Sequence, residues 1–221
     1  MNSNFTKFIS VLKKAPLVLL LLLPFQTVSE NIKFSTDSMT GSISSKNNTT
    51  ILTGNTKVIT ESMEISADQI QITGENYRFI TATGNVSGKS ESFDFACGRL
   101  TYDRETKRAN LQDSVTLIDE QNDVTAQAEI IEYNQESEIA VMQIDVNIQQ
   151  KNNTCVASYA IYRKEAQMLD LSGNPNIQQG NDIFRAQQIS LNLETQQITL
   201  DGRVRGTVST ESSTGEKADG N

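Results

Sequence analysis

Five glutamates recur at matched places along this chain: Glu75, Glu105, Glu136, Glu165 and Glu194. Paired carboxylates hydrolyse glycosidic bonds, one giving a proton while the other takes one or attacks, so these are the first residues to weigh for chemistry. There is no histidine and no tryptophan. Without an imidazole the chain lacks Ser-His-Asp and Cys-His catalysis, the usual neutral-pH base and the commonest zinc ligand. It also has neither a phosphate loop nor an EF-hand loop. Each glutamate stands among turn residues, as in Asp103-Arg104-Glu105-Thr106, where a solvated charged rim is expected as well. The reading is a protein without catalytic residues, metal site or cofactor, with a carboxylate hydrolase as the minor alternative.

The glutamates keep step because the chain repeats. Copies begin at a small residue, Ala67, Cys97, Ala128, Ala157 and Ala186, at spacings of 30, 31, 29 and 29. Five positions on comes a larger apolar or aromatic side chain: Ile72, Tyr102, Tyr133, Tyr162 and Leu191. Each copy then passes its glutamate and reaches Gly84-Asn85, Asp113-Ser114, Ile144-Asp145, Gly173-Asn174 or Gly202-Arg203, which read as a second turn. A partial copy occupies residues 43–65. A fixed period of this size marks stacked units that bury their apolar faces only against neighbours.

Period-two alternation identifies the units as strands. Phe93, Phe95 and Cys97 fall on one face, as do Val115 and Leu117, and Ile189, Leu191 and Leu193. The small residue differs in parity from the apolar positions three and five later, as Ala67 does from Ile70 and Ile72. Keeping both on the buried side needs a bulge or corner. The expected fold is all-β: an elongated twisted β-jelly roll of two facing antiparallel sheets, built from about five 30-residue repeats.

The first 29 residues carry Lys7, Lys13 and Lys14, an apolar run from Leu17 to Leu23, then Pro24 and small residues. That is the layout of a cleaved signal peptide, and the run is short of the roughly 20 apolar residues of a membrane span. Its removal takes the net charge from -8 to about -11, a charge that repels nucleic acid. The expected organisation is signal peptide 1–29, β-domain 30–208 and disordered tail 209–221. Export invites a Cys97–Cys155 disulfide. Counting one rung per repeat places the pair about 10 Å apart, beyond the roughly 7 Å reach of a bridge, which favours two buried thiols.

The repeat's apolar positions are Ile70, Leu100, Ile131 and Ile189 at the third place, with Ile72, Tyr102, Tyr133, Tyr162 and Leu191 at the fifth. They either fill a closed core or line a trough open along its length. A stack also leaves two unpaired edges, which must be capped or used for strand addition.

The string Ile65-Ser66-Ala67-Asp68-Gln69-Ile70-Gln71-Ile72, followed by Ala82-Thr83-Gly84-Asn85-Val86, resembles the Ala-Asp and Gly-Asn-Val pattern of the OstA-like family. These are periplasmic lipopolysaccharide-transport proteins of LptA type and their relatives. The likeness covers about residues 49–208; Cys97-Gly98, Asp113-Ser114 and Ile144-Asp145 depart from it. It implies a jelly roll whose apolar interior shelters acyl chains, lined by the nine residues above, with no catalytic residue. It also implies an LptC-like partner at the inner membrane, an LptD-like partner at the outer membrane, and head-to-tail self-association. The expected function is thus a periplasmic carrier or bridge for lipopolysaccharide or a similar glycolipid. The alternative is a structural or adhesive β-solenoid that assembles through edge strands without lipid.

Overall fold

The structure, a computed structural model, describes residues 31–42 and 48–209. The signal segment, the start of the partial copy at Ile43 and the tail from 210 onward lie outside the described residues. Among the described residues sixteen strands form one antiparallel sheet that does not close on itself. They are β1 Lys33–Ser35, β2 Ser38–Ser42, β3 Thr49–Ile59, β4 Met63–Thr73, β5 Phe79–Ser90, β6 Asp94–Asp103, β7 Arg108–Asp119 and β8 Val124–Asn134. Then follow β9 Ile139–Gln150, β10 Asn153–Arg163, β11 Met168–Ser172, β12 Asn176–Gln179, β13 Asp182–Arg185, β14 Gln188–Asn192, β15 Ile198–Asp201 and β16 Arg205–Thr207. From β3 to β10 each strand pairs with the next in sequence.

Every long strand bends at mid-length. The ladder shifts register by one residue between Ser66 and Gln69 opposite Ser87 and Thr83, and again between Ala96 and Arg99, Gln112 and Val115, and Ala157 and Tyr159. β4 passes the bend with one residue fewer than β3 and β5, and with Asp68 and Gln69 both outward Ala67 and Ile70, of opposite parity, stay on the same buried side. The bend divides the sheet into a first arm, with Met63, Ile65 and Ala67, and a second arm, with Ile70 and Ile72. The two facing sheets are therefore the two halves of one continuous sheet.

Gly84-Asn85, Asp113-Ser114 and Ile144-Asp145 are not turns, as the sequence suggested. They lie inside β5, β7 and β9, and all six residues have positive φ. Two consecutive left-handed residues swing the strand round, but the ladder resumes on either side, so the chain bends without reversing. The actual reversals form two rims. Hairpin turns at 60–62, 91–93, 120–123 and 151–152 end the first arm, and those at 74–78, 104–107, 135–138, 164–167 and 193–197 end the second.

Past β10 the bend breaks the strands outright. At Gly173-Asn174-Pro175 the chain splits into β11 on the second arm and β12 on the first; proline has no N–H to carry the ladder through. β14 and β15 continue the second arm, β13 and β16 the first. β1 and β2 divide the N-terminal edge in the same way, against the two halves of β3.

Because each repeat adds two strands to a single ladder, Cys97 on β6 and Cys155 on β10 are four strand spacings apart, about 19 Å. The sequence estimate of 10 Å counted one rung per repeat and was too short. Both thiols are free and buried.

Candidate functional site: an apolar interior closed by a polar seam

One apolar cluster runs along the whole ladder, from Leu52 on β3 to Leu193 beyond β14. All nine residues singled out from the sequence belong to it, and each is buried. They share one wall: Ile70 and Ile72 on β4, Leu100 and Tyr102 on β6, Ile131 and Tyr133 on β8, Tyr162 on β10, and Ile189 and Leu191 on β14 all sit on the second arm. The first arm supplies the other wall with Ile65, Phe95, Leu117, Ala126, Ile148 and Ile177. Sequence reasoning saw the alternation there but did not assign those residues to the lining.

The interior is a closed core in this structure. Ile70, Leu100 and Ile131 each have 0 % of their surface exposed. The sequence left core and trough open; the two apolar walls pack against each other, and at the rims polar side chains from opposite arms meet in three groups.

Near β4 the Ser62 and Tyr102 hydroxyls are 2.9 Å apart, Tyr102 donates to Gln135 Oε1 at 2.7 Å, and Gln135 Nε2 donates to the Ser62 carbonyl at 3.3 Å. In the middle, Lys164 Nζ donates to Asp119 Oδ1 and to the Ser92 carbonyl, both at 2.9 Å. Tyr162 and Asn122 donate to Asp119 Oδ2 at 2.7 and 2.9 Å, while Ser92 Oγ reaches Glu138 Oε1 at 2.8 Å. Toward the C-terminal end, Asn153 Nδ2 and Gln196 Oε1 are 2.8 Å apart, and Gln196 Nε2 donates to Gln150 Oε1 at 3.2 Å.

The tyrosines thus do more than line. Their rings fill the interior, and the hydroxyls of Tyr102 and Tyr162 reach the seam, as suits a side chain with an apolar body and a polar tip.

Energetically the middle group stands apart. A neutral hydrogen bond contributes about 0.5–1.5 kcal/mol net, whereas removing one partner of a buried ion pair costs about 3–5 kcal/mol because the other charge is left stranded. The Asp119 side chain is 0 % exposed and that of Lys164 8 %. Burial pushes the Asp119 carboxyl up, but the hydrogen bonds from Lys164, Tyr162 and Asn122 and the Lys164 charge outweigh it and hold the group below its ordinary value. Burial, then the bond to that carboxylate, pushes the Tyr162 phenol far up. At neutral pH the cluster is a carboxylate held by an ammonium, a phenol and an amide.

The repeated glutamates show no such assembly. Glu75, Glu105, Glu136, Glu165 and Glu194 are exposed, one to each turn of the second rim. Glu105 pairs with Arg78. They form a charged rim, and their placement is not that of an acid and base facing one bond.

The family described as LptA/(LptD N-terminal domain) LPS transport protein matches residues 36–167, more than half of the chain. The chain belongs to this family. A second family, described as lipopolysaccharide-assembly, LptC-related, matches residues 119–221 and overlaps the first at the middle of the seam. Among solved structures the chain is similar to LptH, the LptA homologous periplasmic component of the conserved lipopolysaccharide transport device from Pseudomonas aeruginosa. The identity is 11 %, over 81 % of this chain and 96 % of that one, with a TM-score of 0.26, too low to carry a structural argument. Among curated proteins no match is found. Membership of the LptA/LptD N-terminal family accounts for Ala67-Asp68 and Gly84-Asn85-Val86, which stand at one bend: Asn85 Nδ2 donates to Asp68 Oδ2 at 2.9 Å. Asn55 and Asp37 repeat the contact one bend earlier, at 2.8 Å.

No described helix is long and apolar enough to cross a membrane.

Proposed function

We propose that the protein is a periplasmic carrier that takes the acyl chains of lipopolysaccharide, or of a similar glycolipid, between its two arms and passes them along the ladder toward the outer membrane. The observation that carries this is the unbroken aliphatic lining. Two apolar walls face each other from β3 to β14 without a buried charge between the rims. Ile70, Ile72, Leu100, Tyr102, Ile131, Tyr133, Tyr162, Ile189 and Leu191 form the acyl-chain surface on the second arm, and the sugars stay outside the seam in water. The signal segment 1–29 delivers the chain to the periplasm.

The sheet ends support handover. β1, β2 and β16 are exposed along their whole length, with Phe34, Met39 and Val204 each about half exposed. Unpaired edges of this kind accept another strand. An LptC-like protein at one end, an LptD-like protein at the other, and further copies of this chain between them would continue the same apolar surface.

Photocrosslinking from Ile131 and Tyr133 in cells tests the carrier. Lipid adducts are the expected product, and protein adducts alone at every inward position would sink it. The closed core favours a second reading, a dry β-solenoid that assembles by its edges. That reading predicts filaments in solution scattering and no lipid on extraction of the purified protein.

A further inference from the structure

We propose that Asp119 and Lys164 form a latch that holds the two arms together and sets the access of acyl chains to the interior, an assignment that rests on the carrier reading above. With Ile70, Leu100, Ile131 and Tyr162 all at 0 % exposure, the interior has no room for a hydrocarbon chain until the arms part. They part where the rims meet.

Of the three groups across the seam, the one near β4 is held by hydroxyl and amide bonds, and the C-terminal one adds to its amide bonds a Lys151 ammonium on the Leu193 carbonyl at 3.4 Å, with no opposite charge. The middle one is ionic. Asp119 ends β7 on the first rim, and Lys164 opens the turn after β10 on the second. Lys164 also bonds the Ser92 carbonyl, so this one ammonium ties together two successive turns of the opposite rim, 91–93 and 120–123. Breaking it leaves the first turn held across the seam by the Ser92–Glu138 bond and the second by Tyr162.

The latch is wired to the interior by an aromatic cluster. Lys164 Nζ sits 5.1 Å above the Phe93 ring. Phe93 in turn meets Tyr133 edge-on at 4.7 Å and Tyr162 at 6.2 Å, and both tyrosines belong to the lining. Parting of the rims at this pair withdraws the Lys164 cation from Phe93 and carries Asp119, the acceptor of the Tyr162 hydroxyl, away with its rim, loosening the cluster that fills the slit. A polar cavity of about 370 Å³ lies beside the pair, lined in part by Lys89, Ser90, Gln121 and Lys164. Through it water or a polar headgroup reaches the charges before any chain enters. Once open, both charges are solvated, so the buried pair is strong when shut without leaving a stranded ion when parted.

The test places spin labels on the full mature protein at Glu120→Cys and Glu165→Cys, exposed positions beside Asp119 and Lys164 on opposite rims; the buried native thiols do not compete. Pulsed-dipolar distances on the wild-type latch should form one short, narrow population. Lys164→Met should enlarge the long-distance population by about tenfold or more, the loss expected for one broken buried pair, and Lys164→Arg should restore the narrow one. If Lys164→Met does not fold, Asp119→Asn combined with Lys164→Met removes both charges and is read in its place. Micelles of lipopolysaccharide should shift the wild-type protein to the same long distances. Unchanged distances in the folded latch variants overturn the proposal. Should those variants open while lipopolysaccharide neither moves the wild type nor crosslinks at Ile131, the pair is a structural clasp and it is the carrier reading that fails.

Discussion

Asp68 on β4 stands directly over Gly84 on β5: a β-carbon on that glycine would lie 2.4 Å from Asp68 Oδ2. Gly84 also has φ +77°, a conformation that a side chain makes costly. One bend along, the same contact is inverted. Gly98 now lies on the even strand, and its β-carbon would meet Asp113 Cβ at 2.7 Å. The departure of Cys97-Gly98 and Asp113-Ser114 from the family pattern is therefore an exchange of two residues across one contact. Gly84→Ala should lower stability by about 1–3 kcal/mol, read from urea unfolding. Gly98→Asp alone should do similar damage, and Gly98→Asp with Asp113→Gly should recover most of it. A double variant no better than the single one would show that the exchange is not compensatory.

Acid should weaken the fold through the second rim. Arg78 donates to Asp103 from Nε at 2.8 Å and from Nη2 at 2.6 Å, and chiefly this bond lowers the Asp103 carboxyl to about 2. A folded-state value below the unfolded one, about 3.9, favours the folded chain fully above that value. The contribution disappears as pH falls toward 2. Asp119 acts in the same sense. The urea midpoint of the wild type should fall between pH 5 and pH 2.5, whereas that of Asp103→Asn should start lower and fall less. Parallel curves for the two proteins would remove Asp103 from this account.

Burial pushes the Cys97 thiol up to about 11 and the Cys155 thiol up to about 12. Only a thiolate reacts readily, so both should resist a maleimide or disulfide reagent at pH 8 and react together on unfolding. At about 19 Å they should also be recovered as free thiols from the exported protein under non-reducing conditions. A mass two hydrogens lower, or fast labelling of either residue in the folded chain, would contradict the ladder order.

Much of this was legible in the sequence, because the period and the alternation are local signals repeated five times. The parity change between Ala67 and Ile70 gave the bend, since a pleated strand has no other way to keep both side chains inside. Gly84-Asn85 misled because left-handed residues serve hairpin turns and mid-strand bends alike; only the resumption of pairing, Val86 with Cys97 and Thr83 with Arg99, tells them apart. The seam left no local trace. Tyr162 and Asp119 are 43 residues apart, and Lys164 and Ser92 are 72 apart. Lys164 precedes Glu165 in a polar turn and reads as a solvated charge until the opposite rim is placed against it.

Ile144 offers the sharpest test of the bend. At this corner the position held by Gly84 in β5 carries a β-branched side chain at φ +67°, 52 % exposed. A left-handed backbone costs a residue with a β-carbon about 1–2 kcal/mol, and an exposed isoleucine recovers little of it by burial. Glycine there loses about 0.5–1 kcal/mol of chain entropy on folding. The balance favours Ile144→Gly by up to about 1 kcal/mol, with Ile144→Asn close behind because asparagine tolerates this conformation. Either change should raise the urea midpoint without altering the slope of the transition. A midpoint that falls instead would mean that the Ile144 side chain makes a stabilising contact in the protein, and that the corner is fixed by something other than its backbone.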